Sequence, residues 1–355
     1  MRHSAPDTGQ EYACHIQTSY RQAYRAMIPD KLYRYRPIDA ALLERELAAL
    51  DKAFLWSPHF REMNDPMEAF YELGDSTDAI VDRLLAPSGK STRDLYEMAR
   101  KVVDNFCLVS FSTTPLALPM WAYYASNFAG LCLEFRADEL FTGDFQTERL
   151  MPVTYADEAP PPIAFHRLAT NGLQTELEAC FSRKRTEWRH EVEWRILTGA
   201  GGARHYLDDA LTRIFLGPRM DDAHAERICD LFRDRPTEIL RGEVHGYQLT
   251  FATLKPAVPL AECQRVGPGE LDLDEVLYSR EAIEEFLDVP IGDLETLLKN
   301  LAARPNAESV VSCDLSGEHK GKALYVWTTY RLRSGREVWK RIHLDSRLNL
   351  LPTSD

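Results

Sequence analysis

Strand-like segments recur along this chain and alternate with helical stretches, which constrains the fold more than any other feature. Short apolar runs bounded by turn residues predict strands in "LYRYR", "CLVSFSTTP", "GLCLEF", "HEVEWRIL", "TRIFLGPRM" and "GYQLTFATL". Apolar residues at helical spacing predict helices in "STRDLYEMARKVVDNF" and "DDAHAERICDLFRD". Helices and strands thus share one chain without an internal repeat, so we expect an α+β fold.

A change of composition divides the chain near residue 266. The 355 residues are enough for one large unit and a smaller one. Residues 1–29 carry few helix or strand signals, and residues 30–265 carry the patterns of a core unit. In residues 266–355 an acidic helical segment, 270–295, precedes basic strands. We expect a mixed β core with peripheral helices, followed by a small C-terminal α+β accessory piece.

Charge and cysteine use limit the setting in which the chain works. The net charge of -13 argues against broad binding to nucleic acid or anionic lipid without a local basic patch. We find no signal-peptide pattern and no apolar run near the ~18 residues of a membrane span. The seven cysteines form no C-x-x-C pair and the histidines show no ligand spacing. We therefore expect a cytoplasmic protein with reduced thiols, without membrane contact and without a bound metal.

The basic C-terminal strands allow two interpretations. Lysines and arginines there interleave with Tyr325, Trp327, Tyr330 and Trp339, a combination that suits single-stranded nucleic acid. The favoured interpretation is that these strands dock against the acidic segment 270–295 of the same chain, because blocks of opposite charge lie so close in sequence.

Polar side chains stand out on three otherwise apolar strands. Arg34 lies in the first, Ser110 and Ser112 in the second, and Glu191 and Glu193 in "HEVEWRIL". Residues two apart share a face of a strand, so the two serines are expected to point one way, and so are the two glutamates. Exposed strand faces with cross-strand ion pairs are the structural alternative.

Alternation in "HEVEWRIL" predicts two faces for that strand. Val192, Trp194 and Ile196 would lie on one face, and Glu191, Glu193 and Arg195 on the other. The charge of Arg195 would then lower the pKa of Glu193.

Cleavage of a glycosidic bond in a dinucleotide is the chemistry that would use these side chains together. An arginine can hold a pyrophosphate through two hydrogen bonds, and a hydroxyl can support a ribose. A carboxylate can bind the ribose hydroxyls and stabilise an oxocarbenium-like transition state. A second carboxylate can orient or deprotonate an acceptor.

The three motifs together resemble the Arg-Ser-Glu pattern of ADP-ribosyltransferases. In this resemblance Arg34 matches the arginine of the first strand, and Ser112 with Thr113 matches the hydroxyl strand. Glu193 matches the catalytic glutamate and Glu191 its neighbour on the acceptor side. The resemblance implies an ADP-ribosyltransferase-like core that uses NAD as substrate. ADP-ribose would pass to a protein or nucleic acid acceptor, or to water.

Further residues are expected around the NAD. Trp121 and Tyr124 lie three apart on a predicted helix, where core packing is the favoured use and stacking on a nicotinamide or adenine ring is the alternative. Asn64 and Asp65 precede a proline in a predicted turn that would frame the mouth of the pocket. The complete set expected to contact NAD is Arg34, Tyr35, Asn64, Asp65, Ser110, Trp121 and Tyr124.

A second resemblance is to the bacterial domain-of-unknown-function family DUF2971. It is carried by "FLWSPHFREMNDPMEAF", "FSTTPLALPMWAYYASNFAGLCLEF" and "KRTEWRHEVEWRIL", in the order that the family shows, over roughly residues 31–220. Met63 stands where the family has phenylalanine. The resemblance implies a cytoplasmic bacterial protein of phage-defence or mobile-element surroundings, with a defence-system partner or a toxin role, and it names no activity.

Two other functions remain open at this point. The same polar face would serve a sensor of a defence system that binds a nucleotide or a phage component without turnover. A cluster of Asp65, Glu68, Glu191 and Glu193 would suit Mg²⁺ and a metal-dependent nuclease. The transferase, unlike the nuclease, would run in the presence of a chelator.

Overall fold

The computed structural model describes residues 28–67, 70–72, 79–163 and 172–351. The predicted extension of residues 1–29 lies almost entirely outside this part of the chain. The strands of the described residues are β1 Lys31–Arg36, β2 Phe54–Ser57, β3 Cys107–Ser112, β4 Leu131–Arg136, β5 Arg149–Pro152, β6 Thr154–Tyr155, β7 Arg183–Lys184, β8 Glu193–Thr198, β9 Gly202–His205, β10 Leu211–Leu216, β11 Glu238–His245, β12 Gln248–Lys255, β13 Ala307–Leu315, β14 Leu324–Arg331, β15 Glu337–Leu344 and β16 Leu350–Leu351.

Helices lie between these strands and gather again before the C-terminal sheet. They are α1 Leu43–Asp51, α2 Ala79–Leu85, α3 Thr92–Val103, α4 Leu118–Tyr124, α5 Ala137–Leu140, α6 Leu173–Phe181, α7 Asp222–Leu231, α8 Leu273–Val276, α9 Arg280–Phe286 and α10 Ile291–Ala302. Helix α1 shows why the chain folds locally as its sequence predicts. Asp39 Oδ1 accepts hydrogen bonds from the backbone of Ala41 and Leu42, and Leu43 and Leu47 are buried one turn apart.

The strands form two principal sheets. The larger has eight strands in the order β12-β11-β10-β4-β1-β3-β8-β5. It is mixed, because β10 pairs with β11 in parallel and with β4 antiparallel. The C-terminal sheet has four antiparallel strands in the order β13-β14-β15-β16. The α+β class and the separate C-terminal β piece are therefore confirmed.

Each principal sheet has its own hydrophobic core. One face of the larger sheet packs against α1 and α7, with Leu32, Phe111, Phe135 and Ile196 among the buried residues. The C-terminal sheet packs against the helices that precede it, through residues such as Leu294. In β14 buried and partly exposed residues alternate, as period-two alternation requires of a sheet covered on one side.

The strand predicted in "HEVEWRIL" starts later than the sequence indicated. Glu191 ends a 3-10 helix, Thr186–Glu191, and the strand begins at Glu193. Between them Val192 has a left-handed backbone, with φ 43°, and its side chain is 45% exposed. Val192 therefore does not share the buried face of Trp194 and Ile196. This conformation is unfavourable for a β-branched residue, so sequence propensity gives no sign of it.

The acidic segment 270–295 packs against the C-terminal sheet through apolar side chains such as Ile283 and Leu294. The basic side chains of the strands pair instead with carboxylates of the larger unit. Lys340 Nζ lies 3.2 Å from Glu139 Oε1, and Arg333 binds Asp208 through two nitrogens. Arg336 pairs with Asp144. The expected docking on the acidic segment is therefore present, but opposite charges are not its basis, since Arg347 with Asp288, at 3.9 Å, is a weak contact of that kind.

Arg304 lies at the centre of the contact between the two units. Its guanidinium binds both carboxylate oxygens of Asp209, at 2.7 and 3.0 Å, and Glu139 Oε2 at 2.6 Å. It also donates to the hydroxyl of Tyr330 at 3.0 Å. All four side chains are buried, and each charge has a partner of opposite sign. Folding thus brings together charges from distant segments of the chain.

Two further expectations concern thiols and membranes. The six cysteines within the described residues are free. In the same residues, none of the helices combines the length and the apolar character needed to cross a membrane.

Candidate functional site

A cavity of about 390 Å³ opens where β1 and β3 diverge. These neighbouring strands share a single paired position, Tyr33 with Ser112. The lining includes most of the residues that the sequence singled out, and two that it did not: Arg34, Tyr35, Asn64, Asp65, Ser110, Ser112, Tyr124, Lys184, Trp188, Glu191 and Glu193. Folding therefore brings the three polar motifs into one cavity.

Arg34 bridges the gap between the diverging strands. Its Nη1 donates to the carbonyl of Ser110 at 3.0 Å, and its Nη2 to the carbonyl of Trp56 at 3.3 Å. Within the described residues no carboxylate lies within 4 Å of its guanidinium. Burial first, and then the positive charge of Arg36, lower the pKa of Arg34 from its ordinary value. A guanidinium nevertheless stays charged at neutral pH, so the cavity holds a cation without a counter-ion.

The serine hydroxyls add donors close to this cation. Ser112 is 1% exposed, and its Oγ has no hydrogen-bond partner among the described residues. Ser110 Oγ likewise forms no hydrogen bond within 3.5 Å, although it lies near enough to Glu193 to contribute to lowering the pKa of that carboxyl. Buried hydroxyls are nearly always paired, so an orphaned one in a cavity wall indicates a site for a ligand or a water.

Lys184 is the centre of the opposite wall. Its Nζ lies 2.6 Å from Glu191 Oε2 and 2.9 Å from Glu193 Oε2. The ring of Trp188 lies 5.4 Å from the same nitrogen. All three charged groups are buried. Val192, with its left-handed backbone, lies between the two glutamates that meet this ammonium.

Glu193 is held on both oxygens. Arg195, fully buried on the same strand, donates to Oε1 at 2.9 Å and to Oε2 at 3.0 Å. Burial raises the pKa of Glu193, but the charges of Arg195 and then Lys184 outweigh it and lower that pKa to about 2. The sequence predicted this direction and this partner. Glu193 is thus ionised at neutral pH and cannot act there as a proton donor.

Glu191 is held by different partners. The hydroxyl of Tyr124 donates to Glu191 Oε1 at 2.5 Å, and Lys184 binds the other oxygen. Burial first, and then the charge of Glu191, raise the pKa of Tyr124. Tyr155 lies beside the same wall, where its hydroxyl accepts from the backbone of Glu193 at 2.9 Å. Two lysine and arginine charges therefore balance two glutamate charges in this wall.

The remaining predicted contacts divide between the cavity and the core. Trp121 does not line the cavity: it is fully buried, donates through Nε1 to the carbonyl of Pro115 and packs edge-on against Tyr35. Its ring is unavailable to a ligand there, so core packing holds for Trp121. Tyr35 lines the cavity and its hydroxyl donates to the carbonyl of Thr114 at 2.9 Å. Asp65 Oδ1 accepts from the backbone of Met67 at 2.9 Å, as the predicted turn requires.

The carboxylates do not form a metal site in this arrangement. Of the described residues, the group close enough to share an ion is Glu318, His319 and His343, far along the chain. In the cavity the ammonium of Lys184 lies between Glu191 and Glu193, where a cation would otherwise sit. Glu68, which the sequence placed in the carboxylate cluster, lies outside the described residues.

Sequence reasoning missed Lys184 and Trp188 as cavity residues. Both lie in "KRTEWRHEVEWRIL", a segment noted for its family resemblance. The signal was present as a Lys…Trp…Glu-x-Glu-x-Arg spacing. Its geometry was not, because a 3-10 helix and a left-handed residue intervene between Lys184 and the strand.

Comparison with known proteins finds a family similarity for the segment that forms part of this wall. Residues 120–196 match the family model described as "Protein of unknown function (DUF2971)". No curated protein and no solved structure matches the chain. The matched segment includes Tyr124, Lys184, Glu191 and Glu193, and it leaves out Arg34 and both serines. The sequence had suggested this family over roughly 31–220, and the match supports a shorter stretch. Residues 120–196 are therefore similar to the DUF2971 family domain, and this segment supplies most of the wall of paired charges.

Proposed function

We propose that the cavity binds a nucleotide, with a phosphate on Arg34. The observation that carries this proposal is that a half-buried guanidinium, with no carboxylate partner in the part of the chain that the structure describes, faces the cavity beside the orphaned hydroxyl of Ser112. A planar guanidinium and a hydroxyl suit a phosphate or pyrophosphate. The aromatic rings of Tyr123 and Trp188 in the lining suit the base. The cavity volume also falls within the range of small-ligand sites.

The nucleotide we propose is NAD, and the reaction is cleavage of its nicotinamide–ribose bond by an ADP-ribosyltransferase-like core. Arg34 would hold the diphosphate and Ser112 would support the ribose. Glu193, ionised at neutral pH, would stabilise positive charge that develops on the ribose. Glu191 would face the acceptor, which is a protein, a nucleic acid or water. Such a reaction needs no metal, and it suits a cytoplasmic enzyme of phage defence or toxin action.

Lys184 and Arg195 impose a condition on this chemistry. They neutralise the two glutamates, and a neutralised carboxylate stabilises a developing cation poorly. Catalysis therefore requires the bound ribose to displace Lys184 from Glu193, a bond of 2.9 Å, while Arg195 keeps the carboxylate in place.

The same observation favours a second function, in which the cavity binds a nucleotide without turnover. A wall that is already neutral and fully hydrogen-bonded serves as a rigid support. The protein would then act as a sensor, with occupancy of the cavity read by a partner protein.

Nicotinamide release from labelled NAD, with and without cell lysate and in the presence of a chelator, tests the catalytic proposal. We expect release and label transfer from the native chain and their loss in Glu193→Gln. Glu187→Gln is the matched control, because Glu187 precedes the same strand but lies at the surface, paired with Arg185. Release that survives in Glu193→Gln, with Glu187→Gln unchanged, would sink the assignment of Glu193.

Calorimetric titration with NAD separates the two functions. Binding without release supports the sensor, whereas binding with release supports the transferase or hydrolase. Equal affinity in the native chain and in Arg34→Met, or no binding of any adenine dinucleotide by folded protein, would overturn the phosphate site itself.

A further inference from the structure

Two histidines and a glutamate meet in the C-terminal sheet, away from the residues of the cavity. Glu318 and His319 lie in the connection between β13 and β14, and His343 lies on β15. One possible ligand atom from each lies within 4.8 Å of the other two. We propose that these three side chains bind a divalent transition-metal ion of the zinc class. This proposal is independent of the function proposed for the cavity.

Strand pairing assembles the cluster. His343 pairs with Tyr325 at the start of β14, directly after the connection that carries His319. The two imidazole rings lie 4.5 Å apart between centroids, at 46°. His343 is 5% exposed, so packing in the sheet fixes its ring. One ligand is therefore rigid, and the others approach it from the surface.

The connection itself is closed by hydrogen bonds. The backbone nitrogen of Ser316 donates to the carbonyl of Ala323 at 2.7 Å, and that of Gly321 donates to the carbonyl of Ser316 at 2.9 Å. Lys320 and Gly321 both have left-handed backbones, with φ 52° and 73°, which turn the chain back toward β14. The ligands on the connection are thus held near β15 before an ion binds.

Neighbouring side chains orient two of the ligands. Ser316 Oγ lies 3.1 Å from His319 Nδ1, and with one ring nitrogen engaged, Nε2 remains for an ion. Arg341 Nη1 lies 3.5 Å from Glu318 Oε1. The other oxygen of Glu318 lies 3.8 Å from His343 Nε2. Hydrogen-bonded partners of this kind commonly fix ligands at metal sites.

The donor set decides which ion fits. Two imidazole nitrogens and one carboxylate oxygen suit Zn²⁺ and similar late divalent ions, whereas Mg²⁺ and Ca²⁺ prefer oxygen alone. Tetrahedral bonds of roughly 2.0–2.2 Å bring ligand atoms to about 3.4 Å apart. Glu318 Oε2, which lies 3.8 Å from His343 Nε2, must therefore move closer by about 0.4 Å, and no pair of ligand atoms has to close by more than about 1.4 Å. Glu318 is 59% exposed on its side chain and has room to do so, which leaves a fourth position open to water.

This site differs from the expectation of no metal, which rested on spacing along the sequence. Adjacent Glu318 and His319 give no recognisable pattern, and the third ligand comes from a strand far along the chain. An ion here would tie the connection to β15, the strand whose Lys340 contacts Glu139 of the larger unit.

Calorimetric titration of the full chain with Zn²⁺, after removal of metal by a chelator, tests the site. We expect one ion per chain with a dissociation constant below about 10 μM. His319→Ala and Glu318→Gln, both on the surface connection, are each expected to weaken binding by at least about tenfold. Because His343→Ala removes a buried ring, its folding would need a separate check, and it is not required for the test.

His245→Ala is the matched control. His245 also has a carboxylate beside it, Glu243 Oε2 at 2.8 Å, but it lies exposed on β11 and has no second histidine. We expect this variant to bind zinc as the native chain does. Zinc affinity unchanged in His319→Ala, affinity lost equally in His245→Ala, or no stoichiometric binding by folded protein would each overturn the proposal.

Discussion

The cavity and the contact between the two units are both built from buried charges, yet the charges are partnered differently. At the contact, Arg304 meets Asp209 and Glu139 and is satisfied by protein alone. In the cavity, Lys184 and Arg195 are likewise satisfied, but Arg34 meets carbonyl oxygens only. Buried ion pairs are weak grounds for inferring function, since many serve structure. What separates a ligand site from a structural cluster is a cation that has no carboxylate partner among the described residues and lies beside an orphaned hydroxyl.

Acid is expected to weaken both clusters and to have the largest effect. Burial opposes ionisation of Glu139, but the charges of Arg304 and Lys340 lower its pKa to about 2, as Arg195 and Lys184 do for Glu193. The unfolded chain binds these protons near pH 4.5, so stability is present above that pH and is lost as pH falls toward 2. The combined loss is on the order of 5 kcal/mol. Urea unfolding at pH 6 and pH 3 measures it. Equal stability at both would contradict the ionic account.

Removing Arg304 is expected to have the next largest effect. Arg304→Ala leaves Asp209 and Glu139 buried without their main partner, at a cost of about 3–5 kcal/mol in the free energy of unfolding. Arg93→Ala is the control, since it breaks an exposed i,i+4 pair with Glu97 worth less than about 0.5 kcal/mol. Urea titration of both variants provides the comparison. A loss in Arg304→Ala no larger than in Arg93→Ala would show that the contact contributes little.

Removing Lys184 is expected to cost somewhat less. Lys184→Met leaves Glu191 and Glu193 facing each other, but Arg195 and Tyr124 still hold one carboxylate each. We expect a loss of about 2–3 kcal/mol and a raised pKa for Glu193, because one of the charges that lower it is removed. Unfolding curves from pH 5 to pH 8 measure both. Stability that equals the native value at every pH would contradict a central role for Lys184.

Removing Arg34 is expected to have the smallest effect on stability and a large effect on binding. Arg34→Met removes a desolvated cation that has no carboxylate partner, so the free energy of unfolding should change by less than about 1 kcal/mol. Nucleotide affinity should fall by roughly tenfold to a hundredfold, because charge-assisted hydrogen bonds are lost. Unfolding and calorimetry on the same sample distinguish the two. A loss of stability as large as in Arg304→Ala would make Arg34 a structural residue.

The sequence predicted the helices and strands of this molecule better than it predicted which side chains contact one another. Local signals placed β3, β4 and α7, because apolar periodicity and capping act over a few residues. The sequence also brought out Arg34, Ser112, Glu191 and Glu193, all of which line one cavity. It could not place Lys184 between the glutamates, since that contact depends on a left-handed residue that runs against the propensity of valine.

Long-range partners were the other failure, for a related physical reason. The charges of the basic strands were expected to pair with the acidic segment nearest in sequence, whereas Arg333 and Lys340 pair with carboxylates of the larger unit. Trp121 was placed by helical spacing on the ligand side, although its indole lies in the core. In each case the chemical character of the residue was recognised from the sequence, but its role depends on neighbours that only the tertiary structure brings close.

The single paired position between β1 and β3 has a mechanical consequence. No other neighbouring strands of the eight-stranded sheet share so few paired positions, so the sheet is softest along the line through Tyr33 and Ser112. Each of the other neighbouring pairs has four or more paired positions, and the cavity lies beside the line where β1 and β3 meet. A ligand that contacts Arg34 on β1 and Glu193 on β8 would link the strands on the two sides of this line. Binding would then reduce the motion of the strands relative to one another, including strands that the ligand does not contact.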